Sequence, residues 1–300
     1  MAILARRGRP ENKHAAAGYM FVAPFMIVFA AMFIAPLAYA AYLSLYSSRL
    51  VGGTVFVGLQ NYTQALQDRQ FLSGLERIAL FFLIQVPIMI VLATFFALVL
   101  DSGRLRAPRV FRIAFFVPYA VPAVVAALMW GYLYGAKFGP FVQIAHDLGT
   151  APPQFLTSGH LLPSVANIVT WEFAGYNMII LYAALLTIPP DLYEAASIDG
   201  AGPIKTALRI KLPLLRPALG VILLFSVIGA FQLFNEPQVL QPAAGSVITP
   251  AWTPNLYAYN LAFTDQRLNY AAAVSFLLGF IILIATYLVL ILGRLRRRST

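Results

Sequence analysis

The chain contains no cysteine, which excludes disulfides, a thiolate nucleophile and any Cys-ligated metal. Histidine occurs three times, at His14, His146 and His160, without metal-ligand spacing. Charge is also scarce: 11% of the 300 residues are Asp, Glu, Lys or Arg, against about 25% in soluble domains. No nucleophile stands with a base at a plausible site, so no catalytic or metal residue is expected. Residues 200–206 have the outline of a phosphate loop. A working loop needs Gly directly before its Lys so that backbone can wrap the phosphates, and here Ile204 precedes Lys205. No apolar strand leads into it, so the chain does not bind ATP by that route.

What is abundant is apolar length. Sixty per cent of residues are apolar and the mean hydropathy is +0.77. Six segments reach the ~20 residues needed to cross about 30 Å of hydrocarbon. They lie near 18–44, 78–100, 113–135, 164–187, 218–241 and 269–293, which predicts an all-α polytopic membrane protein. Pro24, Pro36, Pro87, Pro118 and Pro122 fall inside these spans, as membrane helices tolerate. Ala38-Tyr39-Ala40 imitates a signal-peptide cleavage site, but its apolar run is too long and five spans follow, so the first helix is expected to stay.

Basic residues cluster at 6–13, 104–112, 205–216 and 294–298. Placing the N-terminus in the cytoplasm puts 16 of the 21 Lys and Arg on that side, with five of the 11 acidic residues. Membrane topology therefore accounts for the net charge of +10, and no nucleic-acid partner is needed. The expected organisation is a basic cytoplasmic tail at 1–17, a six-helix domain at 18–293 and a second basic cytoplasmic tail at 294–300.

Several polar groups interrupt the spans. Gln85 lies a third of the way into the second. Glu172 precedes Ile188 by 16 residues, roughly 24 Å of helix, and Asn177 is deeper. Gln232, Asn235 and Glu236 lie at comparable height on the fifth span, Glu236 at its outer end. Aromatic residues Phe173, Tyr176, Phe231 and Phe234 accompany them. Polar groups facing lipid cost several kcal/mol, so these are expected to face a bundle interior or a wet cavity. Gln85, Glu172, Tyr176, Asn177, Phe231, Gln232 and Asn235 are candidates to line a path for a hydroxyl-rich, uncharged solute. Helix–helix hydrogen bonding is the plainer alternative.

Between the fourth and fifth spans the chain turns polar over 188–217. Asp191 is expected to cap a short helix, with Glu194 three residues on. The helix runs to about Ile198, Gly200 supplies the positive φ that stops it, and Pro203 opens a second helix reaching about Lys211. Pro213 and Pro217 then interrupt the chain. Small residues Ala195, Ala196, Gly200 and Ala201 at the bend permit close approach of another protein. A merely solvated connection explains the charge but not this order of small residues.

At these residues the chain resembles a known family. Glu194-Ala195-Ala196, Asp199-Gly200-Ala201, Ile210, Leu212-Pro213 and Pro217 resemble the EAA loop of binding-protein-dependent ABC importer permeases. Further likenesses point to the carbohydrate-uptake branch, with its first maltose-type or glycerol-phosphate-type permease. They are Gly58-Leu59-Gln60-Asn61-Tyr62, the stretch from Arg112 to Pro118, Trp171, Ile188-Pro189 and Tyr270-Ala271-Ala272-Ala273. Two elements depart from the pattern, at Glu76-Arg77 and at Ala243-Ala244-Gly245-Ser246.

The resemblance implies a type I ABC importer permease fold, in a bacterial or archaeal cytoplasmic membrane, with a cytoplasmic EAA coupling helix. Glu194, Ala195, Ala196, Asp199, Gly200, Ala201, Leu212 and Pro213 would meet a cytoplasmic ATPase. It also implies two ATPase subunits that use ATP and Mg, a second permease in a pseudo-two-fold heterodimer, and an extracytoplasmic solute-binding protein delivering a carbohydrate-like solute. Membrane lipid surrounds the whole, and this chain itself carries no cofactor. Two rival classes remain open from the sequence: an ion-coupled secondary transporter, which would use intramembrane charge, and a passive assembly protein.

Overall fold

Residues 11–49, 52–137 and 139–298 are described by the computed structural model, with side chains between 18 and 291. Most of the two basic tails, including Arg6, Arg7 and Arg9 and the side chains of Lys13 and 294–298, lies outside the described residues.

The first span joins α1 (Glu11–Phe29) to α2 (Ala35–Ser44) through a π turn, Ala30–Ile34. The Ala35 amide reaches back five residues to the Ala30 carbonyl, and Pro36 follows. A proline ring clashes with the carbonyl four residues earlier, and one extra residue in the turn makes room. The same device recurs at the π turn Ala207–Lys211, where Leu212 donates to Ala207 and Pro213 follows.

A two-stranded antiparallel hairpin comes next, β1 (Tyr46–Arg49) with β2 (Gly53–Phe56), pairing Tyr46 with Phe56 and Arg49 with Gly53. After α3 (Gln60–Gln67), the Asp68 carboxylate caps α4 (Arg69–Asp101) by accepting from Gln70 N at 2.9 Å. The Asn61 amide donates to the Ser44 and Tyr46 carbonyls at 2.8 and 2.9 Å, and the Tyr62 hydroxyl meets Ser44 Oγ at 2.7 Å. Residues 58–62 thereby satisfy the carbonyls freed where α2 ends.

Then follow α5 (Pro108–Ala120), α6 (Ala123–Leu133), α7 (Pro140–Asp147), α8 (Leu161–Leu185), α9 (Asp191–Ile198), α10 (Pro203–Thr206), α11 (Leu212–Leu214) and α12 (Arg216–Phe231). The chain closes with α13 (Asn235–Ala244), α14 (Pro254–Phe263) and α15 (Leu268–Arg298).

Four stretches are continuous helices long and apolar enough to span: Gly18–Ser44, Arg69–Asp101, Leu161–Leu185 and Leu268–Ile291. The expected span at 113–135 is not one helix. It breaks between α5 and α6 with a 96° bend, because Val121 precedes Pro122 and is forced out of the helical region to ψ 126°. The expected span at 218–241 is also interrupted: α12 ends at Phe231 and α13 starts at Asn235. An unbroken helix would drive the Pro237 ring into the Leu233 carbonyl. A further 62° bend at Leu215 separates the stretch Pro203–Leu214 from α12.

The interior is built on α4 and α8. Ile78 and Phe81 meet Val165 and Ile168 at one end, while Met89, Ala93 and Ala97 meet Met178, Leu181 and Leu185 at the other. Helices in lipid associate by close packing, which small residues allow. Gly175 carries this furthest: a Cβ there would lie 1.6 Å from the Phe115 carbonyl oxygen, so only glycine lets α5 cross α8. None of the apolar window of the first span is buried.

Candidate functional site

Where α12 breaks, the bundle encloses a cavity of about 430 Å³ between α4, α5, α8 and the α12–α13 junction. Of the residues expected on a solute path, Gln85, Glu172, Tyr176, Asn177, Gln232 and Asn235 all line it. Phe231 does not; its ring packs into the apolar clusters around Leu256 and Tyr257. As the last residue of α12, it points away from the face that Ile228 and Gln232 share.

The amides are partly accounted for by neighbouring helices. Gln85 Nε2 stands 3.5 Å from Thr170 Oγ1, and Asn177 Nδ2 donates to the Phe173 carbonyl at 3.0 Å. Glu172 differs. Its residue is 3% exposed, neither carboxyl oxygen has an N–H or hydroxyl donor among the described residues, and its close polar neighbour is a second carboxyl, Glu236. Glu236, also buried, lines the same cavity from the first turn of α13, where the positive end of a helix favours a carboxylate. No Lys or Arg lines this cavity among the described residues.

Its other walls are aromatic. Tyr119 and Tyr176 stack with ring centres 4.4 Å apart, and Phe173 meets Tyr119 edge-on at 5.8 Å. Met89, Tyr119, Phe225 and Glu236 were not expected at a site. Met89 was readable, being four residues from Gln85 and hence on its face. Tyr119 and Phe225 carry no signal along the chain, because distant helices bring them in. Glu236 sits beyond a helix break and is buried, not at an outer interface.

The insert has the opposite character. Helix α9 ends at Ile198, Gly200 takes φ +73°, and Pro203 opens α10, as the sequence indicates. Asp191 is not the cap, however. Pro190 already has helical angles, so the helix begins a residue earlier and Asp191 lies in its first turn without a capping hydrogen bond. Glu194, Ala195, Asp199 and Gly200 are exposed, Ala196 is buried, and Ala201, Leu212 and Pro213 are half-buried. Among them stand apolar side chains bare to solvent: Ile198 is 87% exposed and Ile204 77%, with Leu192 and Leu208 beside them. A groove of about 510 Å³ runs past Pro203, Ile204 and Leu208.

The binding-protein-dependent transport system inner membrane component family matches residues 89–298, which contain the insert and all of the cavity lining except Phe81 and Gln85. The chain belongs to this family. It is thus an inner membrane component of a binding-protein-dependent transport system. Its relatives include the arabinooligosaccharides transport system permease protein of Bacillus subtilis, 31% identical, the match covering 90% of this chain and 86% of that one. Another is the sn-glycerol-3-phosphate transport system permease protein of Salmonella typhimurium, 31% identical over 89% of this chain and 90% of that one. A chain from the crystal structure of a bacterial ABC transporter that imports the acidic polysaccharide alginate superposes with a TM-score of 0.82. It covers 94% of this transport component and 96% of its own length at 20% identity, a likeness of fold.

Proposed function

We propose that this chain is the translocating subunit of an ATP-driven importer, passing an uncharged, polyhydroxylated solute delivered by an extracytoplasmic binding protein. The observation that carries the reading is the cavity at the α12–α13 break. It combines two buried carboxyl groups, four amides and stacked tyrosines, with no Lys or Arg among the described residues. Carboxyl and amide groups exchange hydrogen bonds with sugar hydroxyls, aromatic faces cover sugar C–H surfaces, and a phosphate or uronate would find no cation among the described lining residues to pair with.

The remaining parts follow from family and surface. Six spans over 18–293, with both tails cytoplasmic, count α5 with α6 as one crossing and α12, from the bend at Leu215 onward, as another. The insert at 188–217 then lies in the cytoplasm, where Glu194, Ala195, Ala196, Asp199, Gly200, Ala201, Leu212 and Pro213, with bare Ile198 and Ile204, receive one of two ATPase subunits. ATP and Mg belong to those partners. A groove of about 1560 Å³ along α2, α14 and α15 shares Gln232, Phe234 and Asn235 with the cavity. A second permease seated there closes the open side of the solute path.

The test is uptake into vesicles carrying the whole transporter. Uptake should require ATP and survive a protonophore. Uptake that survives ATP depletion and collapses with the protonophore overturns the proposal in favour of an ion-coupled carrier.

A further inference from the structure

Asp101 is the last residue of α4, and Lys211 closes the π turn that follows α10. Their side chains form an ion pair across 110 residues of sequence, and both are largely covered, at 12% and 15% exposure. Lys211 Nζ also lies 4.8 Å from the centre of the Tyr193 ring on α9. The Tyr193 hydroxyl is buried without a partner among the described residues, and burial and then the Asp101 carboxylate push it above its ordinary pKa. The one other ion pair among the described residues, His146–Asp147, joins chain neighbours in open solvent. A covered pair adds little net stability, because desolvation offsets the attraction, but losing one partner strands the other. Its value here is geometric.

The two helices it connects are both walls of the cavity. From Asp101, α4 runs as one helix to Met89 and Gln85, the latter 16 residues or about 24 Å away, and both residues line the cavity. Helix α12 leads to Gln232 on the opposite wall and continues from Lys211 through the bend at Leu215. The insert therefore holds α12 through the chain itself and α4 through this ion pair, beside the packing of Leu215 in the same apolar cluster as Ala97 and Leu100.

We propose that Asp101, Lys211 and Tyr193 form a joint that makes α4 follow the insert, so that a displacement of the insert moves both cavity walls together. This rests on reading the insert as the ATPase contact. Asp101 and Lys211 are positioning residues that touch neither solute nor nucleotide.

In the complete transporter in vesicles, Lys211→Met and Asp101→Asn each lower uptake at least tenfold, while ATP hydrolysis and ATPase co-purification stay within twofold. The exchange Asp101→Lys with Lys211→Asp brings uptake back to within threefold of the unaltered protein. Because this chain has no cysteine of its own, Asp101→Cys with Lys211→Cys can be bridged by a short reductant-cleavable dithiol-reactive linker. The other subunits must be cysteine-free. Bridged transporter imports, and cleavage cuts uptake at least fivefold. The joint is overturned if uptake per ATP is unchanged in the single variants, or if the exchange is no better than they are. Should the single variants fail to assemble, the linker decides, and uptake indifferent to cleavage overturns the joint. Glu194→Arg separates the two readings. If it leaves co-purification intact, the docking reading falls. If it abolishes co-purification while Asp101→Asn stays coupled, only the joint falls.

Discussion

Inside the bundle, Glu172 buries its carboxyl against a second carboxyl with no N–H or hydroxyl donor among the described residues, whereas on the insert Ile198 and Ile204 stand with most of their surface bare. One region buries polar groups where packing alone asks for leucine; the other exposes isoleucines where solvation alone asks for serine. Each misfit costs free energy in the isolated chain and is relieved by something of complementary chemistry. In the proposed function a hydroxyl-rich solute would relieve the first and an apolar protein surface the second. The contrast teaches that the two proposed ends of the mechanism carry opposite violations of the same burial rule.

The largest effect is expected where the misfit meets a protein. Ile198→Asp with Ile204→Asp should weaken ATPase co-purification at least ~100-fold, as loss of apolar anchors at an interface does. The thermal midpoint of the free subunit should not move, since neither side chain packs within it. A variant pair that still co-purifies normally would erase the insert's side of the contrast.

Glu172 gives the next effect and the sharper comparison. Glu172→Gln replaces a carboxyl at the cavity wall by an amide; an ordinary hydrogen bond is worth about 0.5–1.5 kcal/mol, so KM for uptake should rise roughly threefold or more. Glu172→Leu should abolish uptake yet raise thermal stability by a few degrees, because it deletes a buried carboxyl crowded against a second one, Glu236. Helix–helix glue predicts the reverse: stability falls and transport survives. Uptake measured beside thermal unfolding distinguishes them.

Much of this architecture was written in local pattern. Apolar runs marked the continuous helices, and Gly200 and Pro203 marked the elbow of the insert. The prolines were visible but their effect was not: Pro122 and Pro237 break helices, while Pro36 and Pro213 are absorbed by π turns. Which outcome occurs depends on whether neighbouring groups can donate to the freed carbonyls, a tertiary property. The same limit hid Tyr119 at the cavity, the burial of Glu236, the turning away of Phe231 and the pairing of Asp101 with Lys211. Bare Ile198 and Ile204 were equally silent, since an apolar residue in sequence does not announce that nothing covers it.

Asp68 supplies the control, a half-buried polar group whose partners are all present. It accepts from the Tyr257 and Tyr270 hydroxyls at 2.5 and 2.8 Å and from the Gln70 amide, tying the start of α4 to α14 and α15. Burial alone would raise its pKa, but these hydrogen bonds outweigh burial and hold it below its ordinary 3.8. The unfolded chain therefore binds this proton more tightly than the folded one. Its contribution to stability is complete above the unfolded value and is lost as pH falls through the lower, folded value. Asp68→Asn should cost about 1 kcal/mol at neutral pH, a shift of a few degrees in the thermal midpoint. That gap should hold from pH 8 to 5 and shrink below about pH 4. Unfolding both proteins across that range checks it: a gap that stays constant into acid would mean that shape, not charge, holds this corner. Uptake at neutral pH should fall less than twofold, because no misfit is being relieved there.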